Sequence, residues 1–267
     1  MTKQRDTDII KEISNLLQYH NSLGIKEYPL TEQLERFLHK KKPSSAQPAN
    51  KLQQREVENS RTAAKKHFFD AGLAKKATLQ DVVEEIGDCQ RCPLCETRSN
   101  IVFGQGPASA EFMIIADAPN KEDDKNTAPL QGDAGVLLDR MLAAIELSRE
   151  DVYITPLVKC FPGSHAKPRE NEIKTCLPFL FRQIEIICPT VICTMGMLTA
   201  QTLLHSRKSL FQLRGRFYNF NDLCSSELKG KIVLMPSLHP ELLLENVALK
   251  KASWKDLQMI QKKLKKT

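Results

Sequence analysis

Apolar residues recur every three or four positions over residues 5–19, where Ile9, Ile10, Ile13, Leu16 and Leu17 share one face. This spacing predicts an amphipathic helix closed by Asn21 and Gly24. A second short helix is expected from Thr31, lined by Leu34, Phe37 and Leu38. The next stretch, KKKPSSAQPANKLQQREVENSRTAAKK, is almost free of large apolar residues. It buries too little surface to offset its ordering entropy, so it reads as a linker or a solvent-exposed helix. The folded domain is expected to begin at Thr78, a residue suited to cap a helix carrying Leu79, Val82, Val83 and Ile86. The chain thus divides into an extension, 1–77, and a domain, 78–267.

Within the domain the period switches repeatedly between strand and helix. Phe112–Ala116, Val152–Val158, Val191–Met195 and Ile232–Met235 are short apolar runs that read as buried strands. Between them lie helical patterns over Gly135–Ile145, Glu170–Ile187 and Met197–Leu204. A last helix bearing Trp254, Leu257, Ile260 and Leu264 ends in lysines. Strands alternating with helices predict a three-layer α/β/α architecture around a four-stranded parallel sheet. Ligands of such sheets gather at the carboxyl ends of the strands. Attention therefore falls on the residues after Ala116, Val158, Met195 and Met235.

Composition narrows the class. A hydrophobic fraction of 41% and a charged fraction of 27% are those of a soluble globular protein. No apolar run approaches the roughly 20 residues a membrane helix needs, and MTKQRDTD has no signal-peptide core, so a cytoplasmic protein is expected. Thiols stay reduced there, and eight clustered Cys favour a metal site over disulfides. The net charge of +7 sits at the ends. Residues 1–77 hold 15 Lys/Arg against 9 Asp/Glu, and residues 250–267 hold 7 Lys against Asp256 alone, while the middle is net acidic. Attraction to a polyanion would come from those ends; the alternative is that the lysines are simply solvated.

Cys89 and Cys92 form a C-x2-C pair directly after the first domain helix. Cys160 follows a strand and Cys176 lies in the next helix. Four thiolates from three elements suit one soft metal centre, and spacing alone leaves zinc and an iron–sulfur cluster both open. Cys95 extends the pair to C-x2-C-x2-C and could compete. Cys188 and Cys193 read as small buried hydrophobes. Two loops carry further chemistry. Asp117-Ala118-Pro119-Asn120 follows the first strand, and Pro236-Ser237-Leu238-His239-Pro240 follows the last. An acid and a His on strand ends could position a water and stabilise a developing anion; the plain alternative is a turn cap and a satisfied loop residue. Gly132–Gly135 opens a helix but matches neither a P-loop nor a G-x-G-x-x-G fingerprint, which disfavours a nucleoside-triphosphate enzyme.

Taken in order, the motifs resemble the iron–sulfur, family-four branch of the uracil-DNA glycosylases. The matching stretches include Cys89-Gln-Arg-Cys92-Pro93-Leu94, Val102–Gly106, Asp117-Ala118-Pro119, Pro129–Gly135, Val152–Thr155, Val158-Lys159-Cys160, Cys176-Leu177-Pro178, Arg214-Gly215 and His239-Pro240. The resemblance spans Thr78 to the C-terminus. It implies a [4Fe-4S] cluster on Cys89, Cys92, Cys160 and Cys176, in preference to zinc, with Cys95 a bystander. It also implies a DNA partner and removal of uracil or another deaminated base by hydrolysis of the N-glycosidic bond. Asp117 falls on the family's first active-site acid, one methylene shorter, and His239 on the His that faces the base. The segment Ser237–Leu242 falls on the part that enters the DNA groove, with Leu238 expected as a wedge.

Two positions depart from the family pattern. Leu130 stands where a stacking Phe is usual. Pro156 stands where the family reads the base with an Asn, and Pro offers no side-chain polarity. Asn120 is the expected substitute amide, beside Ala118 and Pro119. The alternative function is a non-catalytic iron–sulfur DNA-binding protein that lost base recognition at Pro156 and Leu130; a weaker third is a zinc interaction module without DNA. A monomer is expected, with residues 1–77 a DNA arm, a protein-binding segment or a dispensable tail.

Overall fold

The structure, a computed structural model, describes residues 78–163, 167–220 and 232–265. The two helices and the linker expected over residues 1–77, and the last two residues, lie outside this range. The first described helix forms where the sequence predicts one. Thr78 caps helix α1 (Leu79–Ile86) through a reciprocal box, its hydroxyl accepting from the Asp81 N–H while Asp81 accepts from the Thr78 N–H. Val82 and Ile86 are buried against Phe179, whereas Val83 is exposed.

Four parallel strands form the sheet: β1 (Phe112–Ala116), β2 (Val152–Pro156), β3 (Val191–Met195) and β5 (Val233–Ser237). Their spatial order is β2-β1-β3-β5. A fifth strand, β4 (Tyr218–Asn219), runs antiparallel along the β5 edge, so the four-stranded all-parallel expectation is corrected to five mixed strands. Two residues give no readable alternation, and pairing with β5 rather than local sequence makes this strand.

Successive strand residues face opposite layers. Met113, Ile115, Tyr153, Ile192 and Leu234 pack with Ile173, Leu177, Leu180 and Ile184 of helix α4 (Glu170–Ile187). Phe112, Ile114, Ile154, Cys193 and Met235 pack with Leu138 and Leu142 of α3 (Gly132–Ala143) and with Leu257 and Ile260 of α8 (Lys250–Leu264). Both faces are covered, which gives the expected three layers. Short helices α2 (Lys121–Asn126), α5 (Met197–Leu203), α6 (Leu210–Leu213) and α7 (Pro240–Glu245) decorate the strand ends. Residues before β1 lean on β2 closely: at Gly106, φ 129°, an added Cβ would lie 2.1 Å from the Val152 carbonyl. Among the described residues no helix is long and apolar enough to cross a membrane.

The order β2-β1-β3 places a switch point between β1 and β3, because the chain leaves β1 toward one side and returns on the other. Ligands of open α/β sheets sit outside the carboxyl ends of the strands at such a point. Asp117 follows β1 and Gly196 follows β3 there, and His239 follows the neighbouring β5.

Candidate active site and cysteine centre

Asp117 reaches across the switch point. Its Oδ1 accepts from the Thr199 N–H at 2.8 Å and lies 2.7 Å from the Thr199 hydroxyl, and Oδ2 accepts from the Leu198 N–H at 3.3 Å. The carboxylate therefore closes the amino end of α5, whose preceding Gly196 (φ 131°) has no room for a Cβ: one would lie 2.3 Å from Asp117 Cγ. Asp117, expected to position a water or to cap a turn, is tied to α5 mainly through Oδ1, with Oδ2 lightly engaged. Asp117→Ala is expected to lower stability by about 1–2 kcal/mol in chemical denaturation, and Asp117→Asn by less, because an amide oxygen still accepts from those N–H groups.

Asn120 caps α2. Its Oδ1 accepts from the Asp123 N–H at 2.8 Å and its Nδ2 donates to Glu241 Oε1 at 3.1 Å. Both ends of the amide are engaged, so it does not stand as a free substitute for the missing base-reading Asn. Burial, eased by the N–H groups of Gln131, Asn120 and Leu130, raises the Asp123 carboxyl above its usual range. Ala118 is half-buried, and its N–H has no partner among the described residues. Pro119 is buried. Leu130, with φ 53°, is 2% exposed and packs in the core beneath β1, so it forms a wall and not a protruding stacking surface. Pro156 ends β2 opposite Ala116 and presents only its carbonyl, which accepts from Lys159 Nζ at 2.8 Å.

The last-strand loop sorts differently from its expectation. Ser237 is fully buried, and its hydroxyl donates to Asp256 at 2.8 Å. Asp256 in turn takes a two-pronged contact from Arg214, at 3.0 and 2.7 Å, which pins α8 beside β5. Leu238 is fully buried with Leu210, Leu213 and Leu243, so the wedge assigned to it is corrected: apolar packing holds it inside. The exposed apolar residues of this stretch are Leu244 and Val247, at 41% and 65%. His239 caps α7. Its Nδ1 accepts from the Glu241 N–H at 3.3 Å, and Nε2 has no partner among the described residues. A lone pair on Nδ1 puts the ring proton on Nε2, which makes that nitrogen a donor.

Cys89, Cys92, Cys160 and Cys176 line one pocket with Ile86, Ile101 and Phe179. Cys95 does not line it, Cys193 lies in the sheet core, and Cys188 ends α4. Three N–H groups face the sulfurs: Arg91 Nη1 to Cys89 at 3.3 Å, Arg98 Nη1 to Cys160 at 3.8 Å, and the Lys159 backbone to Cys176 at 3.3 Å. Burial pushes the Cys160 thiol up to about 12 against the pull of Arg98, and burial likewise raises Cys176 and Cys92. Thiols so placed ionise readily only when a metal takes the place of their protons. Among the described residues no three Cys, His, Asp or Glu close on a single-ion position. An all-sulfur donor set of four thiols suits a soft metal centre, whether zinc or an iron–sulfur cluster.

Sequence reading passed over Lys159, which is 2% exposed. Its Nζ donates to Thr155 Oγ1, Gln183 Oε1 and the Pro156 carbonyl at 2.5, 2.7 and 2.8 Å. Burial lowers its pKa to about 7, opposed by Cys176 and Cys160. One side chain thus joins the cysteine cavity to the end of β2. A lysine closing the apolar run Val152–Val158 was the available signal. Thr199 and Glu241 gave none, since each acquires its role only through a distant strand end.

The strand ends at the switch point of this three-layer sheet carry Asp117 and His239, and four cysteines line a pocket beside β2. The family model of the uracil DNA glycosylase superfamily matches residues 103–258, and the chain belongs to that superfamily. Within it the likeness runs to Type-4 uracil-DNA glycosylases. That of Saccharolobus solfataricus is 38% identical over 192 residues, covering 70% of this chain and 86% of its own length. That of Archaeoglobus fulgidus is 39% identical over 155 residues, covering 58% and 72%. That of Thermotoga maritima is 35% identical over 173 residues, covering 64% and 86%.

Proposed function

We propose that this chain removes uracil, or another deaminated base, from DNA by hydrolysing the N-glycosidic bond. The observation that carries the reading is His239 at the carboxyl edge of the sheet, its Nδ1 occupied as an acceptor and its Nε2 without a partner among the described residues. The glycosidic carbon is unreachable inside a duplex, so the base must leave the stack. Bond cleavage places negative charge on a base oxygen and positive charge on the sugar. Nε2–H of His239 donates to that oxygen, and the free Ala118 N–H supports the base from the β1 side. Asp117, held against α5, lends its negative charge to the sugar cation. Pro156 and Leu130 bound the base with apolar surface only. Recognition of the base edge therefore rests on backbone groups, and more than one deaminated base is accepted. Leu244 and Val247 take the wedge position in the DNA gap.

Cys89, Cys92, Cys160 and Cys176 hold a [4Fe-4S] cluster in this reading. Through these four cysteines the first Cys pair, the end of β2 and α4 would be tied together by a bound cluster. The non-catalytic alternative leans on Pro156 and Leu130 alone, and neither removes the donor at His239. The test is incubation with single strands carrying one uracil, hypoxanthine or xanthine, followed by hot alkali. Breaks at the deaminated base, and none at thymine or cytosine in the same place, are expected. Unbroken strands for every base would overturn the reading.

A further inference from the structure

Two strand-end loops meet through one side chain that the proposed chemistry has not used. Glu241, half-exposed on the first turn of α7, accepts from Asn120 Nδ2 at 3.1 Å with Oε1, and its Oε2 lies 3.6 Å from His239 Nδ1. Its backbone N–H donates to the same Nδ1 at 3.3 Å. The side chain of His239 is only 16% exposed, so its ring is held in place by its neighbours.

We propose that Glu241 is a positioning residue for base excision: it holds the His239 ring so that Nε2 always carries the proton facing the departing base. This rests on the role given to His239 above. When the ring is neutral, the Glu241 N–H occupies the Nδ1 lone pair and leaves the proton on Nε2. In the imidazolium form, reached when Nδ1 takes a proton from solvent, the new Nδ1–H donates to the carboxylate beside it and Nε2 still donates. Asn120 fixes which way the carboxylate points. Its Nδ2 anchors Oε1 and leaves Oε2 turned to the ring. The loop after β1 thereby steers a group on the loop after β5.

The experiment is single-turnover excision by Glu241→Gln, His239→Asn and the double variant. Glu241→Gln keeps the size and the Asn120 contact while removing the charge. Because the carboxylate is half-exposed, its loss is expected to lower the rate only about fivefold, with DNA affinity and unfolding midpoint unchanged. In the His239→Asn background the same change is expected to have no effect. A rate unchanged in Glu241→Gln overturns the proposal, and so does an equal drop in both backgrounds, which would mark a role apart from the imidazole. Should the unaltered protein excise nothing, the functional reading fails on its own. The 15N resonances of the His239 ring then decide: they are expected to move in Glu241→Ala, and an unmoved ring overturns the proposal.

Discussion

Replacing His239 by Asn is expected to slow single-turnover excision by about 10²–10³-fold while leaving the fold intact. The two parts of that expectation come from two ends of one ring. Nδ1 accepts from the Glu241 N–H and so caps α7; an Asn side chain is among the best replacements for that duty. Nε2 has no partner among the described residues, and Asn offers nothing that reaches as far. His239→Ala would remove both functions and add about 1 kcal/mol of lost capping to the lost rate. Comparing the two variants by rate and by denaturation midpoint separates chemistry from stability. A rate for His239→Asn within a few-fold of the unaltered protein would remove this residue from the reaction.

Cys160→Ser and Cys176→Ser are each expected to lose most of the bound iron and to destabilise the domain by more than about 4 kcal/mol, read by metal analysis and denaturant unfolding. Cys160 follows β2 and Cys176 sits in α4, so the centre ties a sheet edge to the helix that covers it. Losing it leaves Lys159, whose nearby counter-charges among the described residues are those two sulfurs, buried with neutral partners. Arg98, 6% exposed and facing Cys160, loses the same anion. Removing one partner of buried charge costs more than the net worth of the pair. Cys95→Ser is expected to keep its iron, because that thiol does not line the cavity. Iron retained at full occupancy in Cys160→Ser or Cys176→Ser would contradict the assignment of these ligands.

What was legible in the sequence followed from periodicity and from the chemistry of single side chains. Glu170–Ile187 reads as one helix because its apolar face repeats through Pro178 without a break, and the structure keeps those bounds. The four cysteines were found because soft ligands are scarce and C-x2-C is compact. The strand-end loops were found because parallel sheets present groups at one edge. Side-chain direction was not legible. Ser237 and Leu238 stand in the right loop yet face inward, toward Asp256 and toward the leucines of α6 and α7. Asn120 carries the expected amide, but the start of α2 claims it. Asp117 was placed correctly and its partner was missed, since Thr199 lies beyond β3 and only the strand order brings the two together. The strand β4 escaped because two residues hold no alternation to read.

The central claim is that this strand edge breaks an N-glycosidic bond in DNA. It is tested most directly by mixing excess protein, purified without oxygen and replete in iron, with a single strand bearing one uracil. Free uracil and abasic sites are then counted in the same sample. The account expects the two products in equal amounts, approaching one of each per strand. Protein that binds the strand and holds its iron, yet releases no free base, would contradict it.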